Sequence, residues 1–209
     1  MLKKVSLLAL LAFNSLSASN DLKPIIQIGY DFGGTTLATV EHPQTYDRYA
    51  DVNKIRAGEG LNLEIGAVLS NPNSNMDLQF LIGYKFDEDS ADNGSVKWDT
   101  IPFTALAMFK SQKWRFGGGV TYHLNPEIAG NFSGYDNGKP FKDEISDEYE
   151  SAFGGVAQIQ YMATNSLAIG LRGTFIEYEL KDDPTIKAKG NTIGLNFSYT
   201  FGNERSRFR

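Results

Sequence analysis

The sequence predicts an all-β fold, an antiparallel up-and-down barrel of eight strands that crosses a membrane. Three observations lead to this prediction. Eight segments alternate apolar and polar residues, their connections alternate between long and short, and aromatic residues gather near both ends of the segments. Alternation with a period of two is the pattern of a β-strand with one apolar face. An even strand number, with brief turns on one side and longer loops on the other, is typical of barrels that span a membrane.

The N-terminus predicts export. Lys3 and Lys4 precede an apolar run over residues 5–13, and small residues follow at 17–19. This order is that of a secretory signal peptide, and the apolar run is too short to cross a bilayer as a helix. We therefore expect residues 1–19 to be a signal peptide, residues 20–201 to form the barrel domain and residues 202–209 to be a short periplasmic tail.

The composition argues against nucleic-acid-binding proteins and against helical membrane proteins. The chain has 209 residues with 25 acidic and 20 basic side chains, and loss of the two signal lysines makes it more negative still. A net negative charge argues against nucleic acid as a partner. No later segment is apolar enough for a helical membrane span. A barrel, in contrast, hides its lipid-facing residues in alternate positions, so modest hydropathy is expected of it.

The eight predicted strands follow from the alternation. They lie at residues 24–32, 59–69, 76–86, 96–109, 114–124, 150–161, 167–180 and 192–201. Residues 33–58 contain two further extended stretches, which we interpret as the first two strands continuing into a hairpin beyond the membrane. Residues 125–149 are predicted to be a long polar loop, and a shorter acidic connection is predicted over 87–94.

The last strand has the most regular pattern. Its apolar face carries Ile193, Leu195, Phe197, Tyr199 and Phe201, and small or polar residues occupy the positions between them. Such a strand either lines a soluble core or faces lipid outward and a polar barrel interior inward.

The positions of the aromatic residues favour lipid. One group lies at the short-turn ends of the strands: Phe109, Trp114, Phe116, Tyr161, Tyr199 and Phe201. The other lies at the long-loop ends: Tyr30, Phe32, Tyr84, Phe86, Tyr122 and Phe153. The same face between them is aliphatic: Ile28, Leu63, Ile65, Ile82, Val120, Ala157, Ile169 and Leu195. Two aromatic girdles around an aliphatic belt are expected where amphipathic rings settle at two bilayer interfaces.

The fourth predicted strand is less regular. Ile101, Phe103 and Phe109 make a plausible lipid face, but Trp98 then falls in the wrong phase. Pro102 cannot donate to a strand ladder, and a β-bulge at this residue would restore the phase. We therefore place a bulge at Pro102.

The predicted inward face carries charges of both signs. They are Asp31, Glu64, Asp77, Lys85, Arg115, His123 and Arg172. Eight strands leave an interior that side chains fill, so we interpret these charges as an ion-pair network that plugs the lumen. A narrow small-solute channel is the alternative, since the inward glycines leave room for long Arg and Lys side chains or for water. Those glycines are Gly117, Gly119, Gly154 and Gly170.

Several segments carry glycine-and-aromatic patterns. They are IGYDFGG (28–34), FLIGYKFD (80–87), FGGGVTYHLNP (116–126) and the last strand. In these segments the chain resembles the eight-stranded bacterial outer-membrane barrels typified by the OmpA transmembrane domain and OmpX. The resemblance implies an outer-membrane location and contact with outer-membrane lipid and lipopolysaccharide, but no reaction. We also expect a monomer whose loops would contact any extracellular ligand.

The C-terminal strand also resembles a recognition signal. Residues 192–199 have the spacing polar-x-Gly-x-x-aromatic-x-aromatic, which resembles the segment read by the barrel-insertion machinery. That machinery is therefore an expected partner. The terminal aromatic residue of the signal would be Phe201, yet eight residues follow it here.

His123 is the residue that could carry catalysis. Outer-membrane lipid A deacylases resemble this chain in size and strand count, and their catalytic histidine lies in a His-x-Ser motif. Here the residues are His123-Leu124-Asn125, and asparagine has no hydroxyl to activate as a nucleophile. His123 also faces the lumen in the predicted register. We expect a structural histidine and assign no catalytic, cofactor-binding or metal-binding residue. His42, in the first protrusion, has no partner that the sequence identifies.

Acidic residues crowd two connections. They are Asp87, Glu88, Asp89 and Asp92 in one, and Asp143, Glu144, Asp147, Glu148 and Glu150 in the other. Carboxylate clusters can hold calcium, but neither run fits an EF-hand loop, so solvated loop charge is favoured. The function predicted is that of a non-enzymatic structural or surface-interaction protein. The alternatives are a narrow small-solute channel and a lipid A-modifying enzyme.

Overall fold

A computed structural model describes residues 21–42, 51–71, 73–91, 94–136 and 139–202. Within these residues the strands are β1 (Asp21–Gly33), β2 (Thr36–His42), β3 (Asp51–Arg56), β4 (Gly60–Ser70), β5 (Met76–Ala91), β6 (Gly94–Ser111), β7 (Trp114–Asp136), β8 (Lys139–Glu148), β9 (Ala152–Met162), β10 (Leu167–Glu179), β11 (Lys187–Lys189) and β12 (Thr192–Thr200). None of the residues described belongs to a helix long and apolar enough to cross a membrane. The predicted signal peptide, and the predicted tail beyond Gly202, lie outside the described residues.

Eight of these strands close into a ring. Each pairs antiparallel with its neighbours in the order β1, β4, β5, β6, β7, β9, β10 and β12. The ring closes between the first and last strands, where Tyr30 is opposite Leu195 and Gly29 is opposite Asn196. The predicted eight-stranded antiparallel barrel is confirmed. Closure pairs the strand edges, which would otherwise be open to association with other chains.

The outward face of the ring is apolar. Along β12 exposure alternates as predicted, with Leu195 42% exposed and Asn196 3% exposed. The residues of the predicted aliphatic belt all point outward, and Leu63, Ile65 and Val120 are more than half exposed. A continuous apolar band of this kind marks a surface that contacts something other than water. The inside and outside of the barrel are therefore those that the alternation predicts.

The aromatic girdles form ring-to-ring contacts on neighbouring strands and along single strands. At the long-loop end the pairs are Tyr30–Phe32, Tyr84–Phe86 and Tyr122–Phe153, with ring centroids 4.7, 5.6 and 4.5 Å apart. At the short-turn end they are Phe109–Phe116, Trp114–Tyr161 and Tyr199–Phe201, at 5.2, 5.1 and 4.9 Å. These contacts mark the two ends of the lipid-facing belt.

The bulge predicted at Pro102 is wrong. On β6 the inward phase runs without interruption through Trp98, Thr100 and Pro102, all of which are buried. The register shift lies on the opposite strand, where the pair Asp99–Glu127 is followed by Ile101–Leu124. The extra residue is therefore on β7, next to Asn125, whose φ is +47°. Trp98 is an interior residue, because the interior beyond the girdle is apolar.

The predicted polar loop at 125–149 is also wrong. β7 continues unbroken to Asp136 and pairs with β8 from Glu127–Glu148 to Asp136–Lys139. The acidic connection after Asp87 likewise continues as paired strand, with Asp87 opposite Trp98. Asparagine, glycine and proline in these stretches suggest loops, but strand pairing overrides such local preferences. The barrel wall therefore extends well beyond the outer girdle.

The hairpin predicted between the first two barrel strands is present, but as a separate element. β2 and β3 pair only with each other among the described strands. The chain leaves β1 at Gly33 and Gly34, whose φ values of +114° and +96° favour glycine. A backbone bond from Ala57 N to Thr35 O, at 2.9 Å, closes the base of the hairpin, and a bond from Thr35 N to Lys189 O of β11, at 2.7 Å, fixes it to the barrel.

Candidate functional site: the barrel interior and its two mouths

The middle of the barrel interior is held by two buried ion pairs. Arg172 Nη1 lies 2.7 Å from Glu64 Oε2, and Lys85 Nζ lies 2.5 Å from Asp31 Oδ2. These side chains are at most 6% exposed. Buried charges are stable only when they are paired and hydrogen-bonded. The inward positions predicted for these four residues are confirmed, and the structure supplies the pairing.

Further hydrogen bonds join these pairs to the barrel wall. Gln27 Nε2 donates to Glu64 Oε2, and Arg172 Nε donates to Gln158 Oε1, both at 2.7 Å. Lys85 Nζ donates to the carbonyl of Gly58 at 3.0 Å. The network therefore links β1, β4, β5, β9 and β10 across the lumen.

Inward glycines make room for this network. A Cβ at Gly194 would overlap Asp31 Oδ1, and one at Gly83 would lie 2.6 Å from Glu64 Cγ. At Gly170, which was predicted to face inward, a Cβ would lie 2.7 Å from Asn196 Oδ1. The space is thus occupied by short acids and amides. Of the four glycines expected to make room for long Arg and Lys side chains or for water, Gly170 has Asn196 and Gln160 as its side-chain neighbours instead.

The outer end of the interior is apolar. Its buried cluster, here called the outer plug, comprises Ile55, Ala57, Val96, Trp98, Ile128, Tyr149, Ile176, Tyr178 and Ala188. Trp98 and Tyr178 are wholly buried, with ring centroids 5.3 Å apart. This plug was not predicted from the sequence. The signal was present in Trp98 and Ile176, which are apolar residues on the inward phase beyond the girdle, whereas Ile128 reaches the interior only because the extra residue on β7 shifts the phase.

His123 joins the outer plug to the charged middle layer. Its Nδ1 lies 2.7 Å from the hydroxyl of Tyr178, and the imidazole is 2% exposed. The side chain points into the barrel, as predicted. His42 is the last residue of β2, and its side chain lies outside the described part of the structure.

At the inner mouth, Asp77 lies close to two cationic side chains. Lys110 Nζ lies 2.8 Å from Asp77 Oδ1 and Arg115 Nη1 lies 3.6 Å from Oδ2. The hydroxyl of Ser70 also donates to Asp77, at 2.5 Å. Next to this group is a cleft of about 370 Å³, here called the basic cleft. It is lined by Lys110, Gln112, Lys113, Arg115, Met162, Ala163, Thr164 and Asn165.

A second cleft, of about 520 Å³, lies outside the outer girdle. It is lined by Tyr30, Asn53, Lys54, Ile55, Arg56, Glu59, Asp87, Glu88 and Asp89. Burial raises the pKa of Asp87, and the negative charges of Glu59 and Asp89 raise it further. Arg56 lies 2.9 Å from Glu59 and partly balances this charge. In the part of the chain that the structure describes, no three His, Cys, Asp or Glu side chains are grouped to hold a metal ion.

The acidic outer hairpins carry ion pairs of their own. Lys181 pairs with Glu148 at 2.5 Å, and Lys187 pairs with Glu179 at 2.7 Å and Glu177 at 3.2 Å. Part of the loop charge is therefore neutralised within the protein.

Comparison with known proteins finds likeness only in structure. No family model matches the chain, and no curated protein matches it. Among solved structures, Ail of Yersinia pestis has 12% identity and a TM-score of 0.47, covering 88% of this chain and 99% of its own. Neisserial surface protein A has 10% identity and a TM-score of 0.45, covering 86% and 97%. The outer membrane channel DcaP of Acinetobacter baumannii has 9% identity and a TM-score of 0.25, covering 88% and 98%.

Similarities this low say nothing about ligand or activity. The fold rests on the chain's own geometry: a closed ring of eight antiparallel strands, an apolar outer belt and an aromatic girdle at each end. A closed antiparallel ring with such a belt is the architecture of barrels in bacterial outer membranes. This architecture agrees with the outer-membrane location that the sequence predicts. The chain therefore has the fold of the small eight-stranded outer-membrane β-barrels.

Proposed function

We propose that this protein is a non-enzymatic outer-membrane barrel, closed to solutes, that presents a rigid acidic surface to the exterior. The observation that carries the proposal is that side chains occupy the interior at three levels. Asp77 and its cations occupy the inner mouth, two ion pairs occupy the middle, and the outer plug occupies the outer end.

The filled interior argues against the channel alternative. A solute crossing the barrel would have to separate Arg172 from Glu64 and then displace Trp98 and Tyr178. Separating a buried pair leaves an uncompensated charge, which costs about 3–5 kcal/mol. The inward glycines do not relieve this obstruction, since neighbouring side chains fill the space at Gly83, Gly170 and Gly194.

The surroundings of His123 argue against a lipid-modifying enzyme. A histidine that processes bilayer lipid must be reachable from the lipid-facing surface, and this imidazole is enclosed in the lumen beside Tyr178. The position two residues later is Asn125, which has no hydroxyl to serve as the nucleophile.

The outer hairpins supply the proposed interaction surface. Backbone bonds from Lys181 N to Glu148 O and from Glu150 N to Glu179 O, at 2.9 and 2.8 Å, join the end of β8 and the residues after it to the end of β10 and the residues after it. A surface that is ordered before binding loses less entropy when a partner docks. Its exposed acids are Glu88, Glu144, Asp147, Glu148, Glu150, Glu177, Asp182 and Asp183. Such a surface favours partners that carry positive charge.

The remaining partners follow from the membrane location. The apolar belt contacts outer-membrane lipid, with lipopolysaccharide at the outer girdle. We infer that the protein is a monomer, that residues 1–19 are a signal peptide for its export and that a periplasmic tail follows the barrel. We also infer that the barrel-insertion machinery recognises the last strand of the barrel.

Conductance across a planar bilayer tests the closed lumen. We expect the reconstituted protein to give no stable single-channel steps, while a general porin reconstituted in parallel gives large ones. Stable steps whose ion selectivity changes in Arg172→Gln would establish the channel alternative instead. Mass spectrometry of lipid A from cells with and without the protein tests the enzyme alternative, and we expect identical spectra.

A further inference from the structure

The basic cleft has no part in the proposed function. It lies between the β6–β7 turn and the β9–β10 turn, at the inner mouth of the lumen. Its volume of about 370 Å³ is that of a small-ligand pocket, for which ~300–1,000 Å³ is usual. The described residues that line it include Lys110, Lys113 and Arg115 but no carboxylate.

The charge at the cleft is unbalanced. Asp77, which lies behind the lining, contacts Lys110 at 2.8 Å and Arg115 at 3.6 Å. Asp77 thus contacts two of the three cations of the cleft, and its single negative charge does not balance theirs. The Arg115 side chain is only 15% exposed, and its contact with Asp77 is longer than a hydrogen bond. Arg115 is thus a largely desolvated cation that can still donate to an anion in the cleft.

The walls of the cleft are preformed. Met162 N donates to Lys113 O at 2.7 Å and joins the two turns. Thr164 Oγ1 accepts a bond from Leu167 N at 2.9 Å and orders the β9–β10 turn. Gln112 has a φ of +52°, a conformation that few residues other than glycine adopt, and it sets the direction of the β6–β7 turn. A preformed site loses little conformational entropy on binding.

We propose that the basic cleft binds a phosphate group, carried by a phospholipid headgroup or by a soluble phosphorylated molecule. Guanidinium and ammonium groups are the usual protein donors to phosphate oxygens. The cleft lies beside the inner girdle, where Trp114 and Tyr161 are in contact and Lys113 Nζ is 5.9 Å from the centroid of the Tyr161 ring. Girdle aromatics lie at headgroup depth, so the cleft is within reach of the phosphates of the inner leaflet.

Phosphorus NMR titrations of the full chain test this proposal. The protein, folded in a nonionic detergent without phosphate, is titrated with inorganic phosphate, glycerol 3-phosphate and dihexanoyl phosphatidylglycerol. We expect saturable binding of at least one of these ligands. Replacing the buried cation in Arg115→Gln should raise the Kd about tenfold, and replacing the exposed cation in Lys113→Gln should raise it about threefold. The control Lys187→Gln, at the opposite end of the barrel, should leave the Kd unchanged.

The three ligands distinguish the sources of the phosphate. Tighter binding of the phosphatidylglycerol than of glycerol 3-phosphate assigns the cleft to a headgroup, whereas equal affinities assign it to a soluble anion. The proposal is overturned if correctly folded protein binds none of the three saturably, or if Lys113→Gln and Lys187→Gln have equal affinities. Lys113 is an exposed turn residue, so this variant decides the question even if Arg115→Gln fails to fold.

Discussion

Gly194 and Asp31 are opposite each other where the first and last strands close the barrel. The absence of a Cβ at Gly194 leaves room for the Asp31 carboxylate, which in turn pairs with Lys85. The absence of one methyl group on β12 thus leaves room for an ion pair between β1 and β5. Gly155 provides a contrast at this scale, since it faces outward and a Cβ there would meet nothing within 4 Å.

Gly194→Ala should therefore destabilise the barrel, whereas Gly155→Ala should not. The added methyl group displaces Asp31, and overpacking of this kind costs about 1–3 kcal/mol. At Gly155 the same change relieves the entropic weakness of glycine in a strand, so we expect no loss of stability. Urea unfolding in lipid vesicles measures both. Equal unfolding midpoints for the two variants would show that Asp31 can move without loss.

Alternation along one strand predicts which way a residue faces, but not which residue it contacts. The alternation predicts that His123 faces inward, and it does. It does not predict that Tyr178, 55 residues away, supplies the partner of its Nδ1. That contact depends on the stagger between distant strands of a closed barrel, which no single strand records.

At the scale of elements, β12 and the residue that follows it reach two different depths of the lipid-facing surface. Leu195 belongs to the aliphatic belt and Phe201, just after the strand, to the inner girdle, and both are 42% exposed. Their similar exposure makes them a matched pair for testing where the membrane lies.

Leu195→Lys should destabilise the barrel in a bilayer more than Phe201→Lys. A lysine facing lipid near the midplane costs about 2–4 kcal/mol, and about 0–1 kcal/mol near an interface. Urea unfolding in vesicles measures the difference. In a water-soluble barrel neither lysine would be costly, so two variants as stable as the wild type would contradict the membrane location.

The cleft outside the outer girdle also lies between two elements, since it is lined by residues of the β2–β3 hairpin and of the outer end of β5. Asp87 lies there, and burial and the charges of Glu59 and Asp89 raise its pKa. A raised pKa in the folded state means that folding favours the protonated acid. Asp87 therefore contributes more to the stability of the fold as the pH falls through its raised pKa, and this contribution is lost as the pH rises.

Asp87→Asn should accordingly be more stable than the wild type at neutral pH, and this advantage should disappear in mild acid. We expect a gain of less than about 1 kcal/mol, since solvent screens a half-exposed carboxylate. Unfolding midpoints at several pH values measure it. Asp183→Asn is the control of opposite sign, because hydrogen bonds from Thr185 lower the pKa of Asp183. Identical pH profiles for the two variants would contradict this account.

At the scale of the whole molecule, the two ends of the barrel differ in charge and in packing. The outer end combines an apolar plug with exposed acids, and the inner mouth combines a basic cleft with a single buried acid. The lumen between them is tied together by ion pairs across the ring. Every strand of the ring is hydrogen-bonded on both sides, so unfolding should be cooperative.

The folded barrel should therefore resist detergent until it is heated. We expect β-rich circular dichroism and an electrophoretic mobility that differs between unheated and boiled samples, because sodium dodecyl sulfate does not open a closed ring at room temperature. Arg172→Met removes one half of a buried pair and should lower the temperature of this shift. A helical spectrum, or equal mobility before and after boiling, would contradict the fold.

The sequence alone determined the strand number, the lipid-facing residues and the inward charges. Successive side chains of a strand lie on opposite faces whatever that strand pairs with, so Leu195 and Asn196 could be assigned from alternation. The aromatic girdles were likewise read from local patterns, and export, also read from a local pattern, stays a prediction. The outer extensions could not be read in this way, because Asn125, Pro126 and their neighbours favour loops in isolation.

Only the tertiary structure decided how the interior is filled. Arg172 meets Glu64 across 108 residues of chain, and Trp98 contacts Tyr178 of β10 and Tyr149, which lies between β8 and β9. The basic cleft arises in the same way, from two turns that are distant in sequence. Barrel closure and strand stagger bring these groups together, and both are properties of all eight strands jointly. Local alternation therefore determines which way a side chain points, and closure determines what it meets.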